Sequence, residues 1–61
     1  MNAPTDRIVE DLAEAHETLV AAGKLYVAGD HAGAATALDD VIVVVRDARA
    51  DIRRAASETA A

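Results

Sequence analysis

The sequence predicts an all-α protein, two helices folded into an antiparallel hairpin that associates with itself, most simply as a dimeric four-helix bundle. Three observations carry that prediction. Apolar residues recur at alternating steps of three and four in both halves of the chain, which is a helical stripe with heptad spacing. Gly29-Asp30 is the break between the two stripes. The apolar residues also cover more of each helix than a single helix partner can hide.

In the first half the stripe is Thr5, Ile8, Leu12, Ala15, Leu19, Ala22 and Tyr26. Pro4-Thr5-Asp6 suits a helix start, with Thr5 or Asn2 as its cap. Gly29 suits the left-handed residue just beyond a helix end, and Asp30 is a strong N-cap for the helix that follows. The second stripe is Leu38, Val41, Val45, Ala48, Ile52 and Ala55. One domain results, with a helix over about 5–28, a turn at about 29–30 and a helix over about 31–58, fraying in the last residues.

A turn this short makes the helices antiparallel neighbours, and facing residues then have numbers that sum to about sixty. Leu12 would face Ala48, Ala15 would face Val45, Ala22 would face Leu38, and Tyr26 would face Ala34. Large opposite small lets helices come close and interdigitate. The expected hairpin core is Ile8, Leu12, Ala15, Leu19, Ala22, Tyr26, Leu38, Val41, Val45 and Ile52. Charge agrees with the pairing. Asp6, Glu10, Asp11, Glu14 and Glu17 crowd the start of the first helix, and Arg46, Arg49, Arg53 and Arg54 crowd the end of the second. Both placements suit the helix dipoles.

Val41-Ile42-Val43-Val44-Val45 looks at first like a buried strand. Five β-branched residues would cost a helix about 2–3 kcal/mol against alanine. Burial at roughly 1.5–3 kcal/mol per aliphatic side chain offsets that. The sequence offers no second strand to pair with, and the helical stripe runs through the segment without a change of phase. The segment is therefore expected to be helical, with Val41 and Val45 toward the first helix, Ile42 and Val44 on the two shoulders, and Val43 pointing away. The surplus apolar arc is expected to bury itself against a second copy through Val44, Ile42, Ala37, Ala48, His16, Val20, Val27 and Val9, so that Val44→Asp would dissociate the assembly.

Composition bounds the function. A chain of 61 residues is one small domain at most, and with no cysteine it needs another staple, such as self-association. A net charge of -5 disfavours nucleic acid and anionic membranes as partners. No apolar run approaches the roughly 20 residues of a membrane span. The opening MNAPTDRIVED has neither the basic nor the apolar region of a signal peptide, so a cytoplasmic protein is expected. Arginine in place of lysine, with abundant Ala, Val and Asp, suggests a GC-rich genome, bacterial or phage.

No catalytic constellation is evident, and no cofactor or metal is implied. His16-Glu17 begins an HExxH pattern, but Val20 stands where the second histidine belongs. His31 lies roughly 20 Å from His16 by helix rise, too far to share a metal. His16 reads better as an interface histidine. Glu10, Glu14 and Glu17 with Asp6 form an acidic stripe that suits a solvated face or a basic partner. Asp39-Asp40 points two carboxylates about 100° apart, which serves to guard the valine run against β-aggregation rather than to converge on a substrate. Gly23 is expected to let the helices approach closely. Leu25 to Leu38 resembles the middle of a tetratricopeptide repeat through Leu25-Tyr26, Gly29-Asp30 and Ala34, but the second helix is about twice the repeat's length and no second repeat follows, so that family is not adopted.

Two functions compete on these grounds. One is a self-associating structural or interaction module without catalysis. The other is an antitoxin-like or phage-encoded inhibitor that spends the apolar face or the acidic stripe on a different protein.

Overall fold

A computed structural model describes residues 3–60, and side-chain environments within residues 6–59. Helix α1 spans Ala3–Val27 and helix α2 spans His31–Ala60, packed together as one hairpin. The described residues contain no strand, so the valine run is helical as its unbroken phase required. α1 starts ahead of its expected limit and ends one residue short of it, while α2 runs past its expected end. α1 begins at Ala3, ahead of Pro4, and α2 continues through Ser57-Glu58-Thr59, where the Thr59 hydroxyl donates to the Ala55 carbonyl at 2.9 Å. The proposed cap Asn2 lies outside the described residues, as does the side chain of Thr5.

Three residues, Ala28, Gly29 and Asp30, join the helices, and the last two define the turn. Gly29 has φ of 90°, the left-handed region that only glycine adopts without strain. The Gly29 N–H donates to the Tyr26 carbonyl at 3.0 Å and the Asp30 N–H donates to the Leu25 carbonyl at 2.9 Å, which closes α1 with a Schellman motif. Asp30 then opens α2: its Oδ1 accepts from the Gly33 N–H at 2.9 Å, and its carbonyl accepts from Ala34 at 3.0 Å. One residue therefore ends one helix and caps the next. The Tyr26 and His31 rings stack over this end, with centroids 5.0 Å apart.

These contacts make the three glycines differ in what an alanine would do. Gly29→Ala is expected to cost about 1 kcal/mol by forcing a side chain into positive φ. Gly23 is exposed with open space around it, so it does not mediate the close helix approach expected of it, and Gly23→Ala should stabilise the hairpin by about 1 kcal/mol of helix propensity. At Gly33 a Cβ would meet the Asp30 carboxyl group, so the propensity gain is offset by a disturbed cap and Gly33→Ala should be close to neutral. Chemical denaturation of the three variants tests that order.

The seam differs from the expected core by one position at every other level. The least exposed residues of α1 are Ile8, Asp11, Ala15, Thr18, Ala22 and Leu25, and those of α2 are Gly33, Ala34, Ala37, Val41, Val44, Ala48 and Asp51. Gly33 aside, both sets step by three and four. The fully buried members are four alanines, Ala15, Ala22, Ala34 and Ala48, each 6% exposed or less. Helix axes approach most closely where the contacting side chains are small, so alanine forms the buried centre of the seam, with Ile8, Leu25, Val41 and Val44 half-buried along it. Asp51, at the edge of the seam, pairs with Arg54 at 3.0 Å. With the turn centred on Gly29 and Asp30, Ala15 lies alongside Val44 and Thr18 alongside Val41, and all four line one shallow groove.

Candidate interaction face

The rotation of the seam determines what each side of the hairpin presents. Seen from one end, antiparallel helices wind in opposite senses. A step of one residue beyond the seam therefore turns both side chains to the same side of the hairpin. From Asp11, Thr18 and Leu25 that step reaches Leu12, Leu19 and Tyr26. From Ala37, Val44 and Asp51 it reaches Leu38, Val45 and Ile52. All six were expected in the hairpin core, and all six are exposed, from 41% at Leu38 to 63% at Tyr26. Val9 and Ile42 lie beside them on the next helical row and are exposed as well. Among the described residues, eight of the eleven exposed large apolar ones thus share one face spanning both helices.

The opposite exchange occurs at the residues expected to contact a second copy. Ala37 and Val44 are half-buried and Ala48 is 1% exposed, so these three belong to the intrachain seam. Val44→Asp would accordingly strike the hairpin itself. Val9 and Ile42 lie on the apolar face, with His16 between Leu12 and Leu19 and exposed. Val20 and Val27 lie on the outer flank of α1, where Val27 is 86% exposed. Of the expected core, Ile8, Ala15, Ala22 and Val41 do line the seam. The signal that separates the two sets is side-chain size: at five of the six shared levels the smaller residue faces the other helix, and Val44 and Val45, identical in size, are the exception.

The other side of the hairpin is polar. The groove there is lined by Glu14, Thr18, Asp40 and Val43 over a floor of Ala15, Val41 and Val44. Glu10, Glu14 and Glu17 are all exposed. This places Val43, which points away from the apolar face, among carboxylates. The described residues contain no cluster of His, Asp and Glu able to hold a metal ion, and no helix among them is long and apolar enough to cross a membrane. His16 and His31 sit on different levels of the hairpin, and His31 is occupied by the Tyr26 ring. What the arrangement offers chemically is a flat apolar surface with a charged reverse side. No protein-family model, curated protein or solved structure matches this chain.

Proposed function

We propose that the chain is a self-associating helical module, structural or adaptor in role and without catalysis, in which two hairpins pair through their apolar faces as a four-helix bundle. The observation that carries this reading is the row of Leu12, Leu19, Tyr26, Leu38, Val45 and Ile52 on one face of a hairpin only one helix layer thick. Soluble monomers seldom expose a contiguous apolar patch of this kind.

The dimensions support it. The chain exposes 4770 Å². A compact monomer of 6.3 kDa would expose about 3,700 Å². The excess of about 1,000 Å² matches the roughly 800 Å² that each partner contributes to a standard interface. The radius of gyration is 14.4 Å. A compact domain of this length would have about 10.5 Å, and one of twice the length about 14 Å. A buried core of four alanines is also slight support for two long helices, and a second layer would bury the larger side chains.

Sedimentation equilibrium at micromolar concentration tests the proposal. The expected mass is twice that of the chain, with melting temperature rising with concentration. A stable, cooperatively folded monomer would refute it. The alternative, an antitoxin-like or phage-encoded inhibitor that docks a different protein, draws its support from Val20 and Val27, apolar and exposed on the outer flank of α1 away from the main face. It predicts a chain that is molten or aggregates alone and becomes ordered with its partner.

A further inference from the structure

Resting on the self-association proposed above, we infer that His16 makes it pH-sensitive: the hairpins pair while this imidazole is neutral and separate when it takes a proton. His16 stands on the apolar face, exposed between Leu12 and Leu19. The residues three and four positions from it along α1 are Leu12, Ala13, Leu19 and Val20, none of them charged. By the register that sets Ala15 alongside Val44, Ile42 of α2 lies nearly level with it. A neutral imidazole tolerates such surroundings, with its apolar body covered and its polar edge at water. An imidazolium there gives up hydration and needs a counter-charge.

The register places no counter-charge on the face. Each helix contributes two rows: the step just beyond the seam, and the next row, which holds Val9, His16 and Gly23 on α1 and Ala35, Ile42 and Arg49 on α2. None of the chain's eleven acids falls in these rows. Asp11, Asp51 and Glu58 follow the spacing of the seam. Glu10, Glu14, Glu17, Asp40 and Asp47 turn to the polar side, and Asp30 is occupied as the cap of α2. Asp6 and Asp39 lie on the outer flanks, opposite the seam, where Asp39 shares its flank with Arg46. Glu17 is next to His16 in sequence but points about 100° away from it. A second copy presents the same rows whichever way it is turned. Their charged or titratable members are its own His16, Tyr26, His31 and Arg49. Either orientation therefore offers a protonated His16 apolar surface or another base, and no carboxylate.

The paired state then holds fewer protons than two separate copies, so acidification favours separation. Association is strongest above the ordinary histidine range, near about pH 6.5, and weakens as the pH falls through it. Two-fold symmetry puts His16 in the contact twice, so the dissociation constant can rise by up to about a hundredfold per pH unit.

Sedimentation equilibrium at about pH 8 and about pH 5.5 tests this, the lower value staying above the ordinary carboxylate range near about pH 4. The dissociation constant is expected to rise about tenfold or more on acidification. In His16→Gln, which keeps a polar side chain but takes no proton, it should be the same at both values. His31→Gln, which changes the ring stacked on Tyr26 at the turn, should keep most of the response. Equal constants at the two pH values in the wild type, or a response that survives in His16→Gln, would overturn the inference and leave the self-association standing. A monomeric mass at both pH values would overturn both.

Discussion

Leu19→Asp is expected to convert the assembly to monomers, raising its dissociation constant by about a thousandfold or more. Leu19 lies near the middle of the apolar face and is half exposed in the hairpin. A second copy would remove the remaining surface from water. Losing that burial while desolvating a carboxylate costs about 2 kcal/mol or more at each site. Two-fold symmetry places the substitution twice in every dimer, and about 4 kcal/mol is roughly a factor of a thousand in affinity. Helicity by circular dichroism should then fall on dilution, because the separated hairpin keeps a buried core of only four alanines. Val43→Lys is the matching control. It introduces a charge one turn from Asp40 and Asp47 and beside Glu14, on the polar side, and should leave the mass unchanged. If Leu19→Asp sediments as wild type, the apolar face is not the contact.

The comparison of Leu19 with Val44 shows where the sequence was legible. Two helices, their approximate limits and a tight turn at Gly29-Asp30 follow from local signals. The three-four spacing survives the β-branched run, and Gly29-Asp30 serves as a C-terminal stop and an N-cap by its own chemistry. The face of each helix turned inward did not follow, because two stripes one residue apart both have heptad spacing. Choosing the larger residues put Leu12, Leu19, Tyr26, Leu38, Val45 and Ile52 between the helices. That choice holds for a helix buried in a thick core. In a single-layer hairpin the contact is governed by how near the backbones can come, and alanine and threonine allow a nearer approach than leucine. The half-buried Asp11 and Asp51 could not be foreseen by hydrophobicity, since each occupies a seam position only because its neighbours on the same stripe are Ala15, Ala22 and Ala48. Large residues excluded from such a seam collect on one side, so the same rule that corrects the core also explains why the open face is so apolar.

Ala48→Leu is the second large expected effect, and it tests the seam rather than the face. Ala48 is the most buried residue described, at 1% exposure, and it lies on α2 at the level of Asp11 on α1. Three added carbons have no space between helices held together by alanine contacts. They would force the axes apart or twist α2 about its length, a distortion of about 1–3 kcal/mol per chain. Spreading the helices also moves Leu12 and Leu19 relative to Val45 and Leu38, so the apolar face loses the shape that a second copy would match. The loss of stability should therefore appear as a lower melting temperature and as weaker association together. Ala50→Leu, two residues on and exposed on the polar side, adds the same carbons without touching α1 and is expected to be neutral within about 0.5 kcal/mol. Thermal melts of the two variants at equal concentration decide the point. If Ala48→Leu melts with or above Ala50→Leu, the helices do not close on Ala48, and the alanine seam with the exposed face derived from it is wrong.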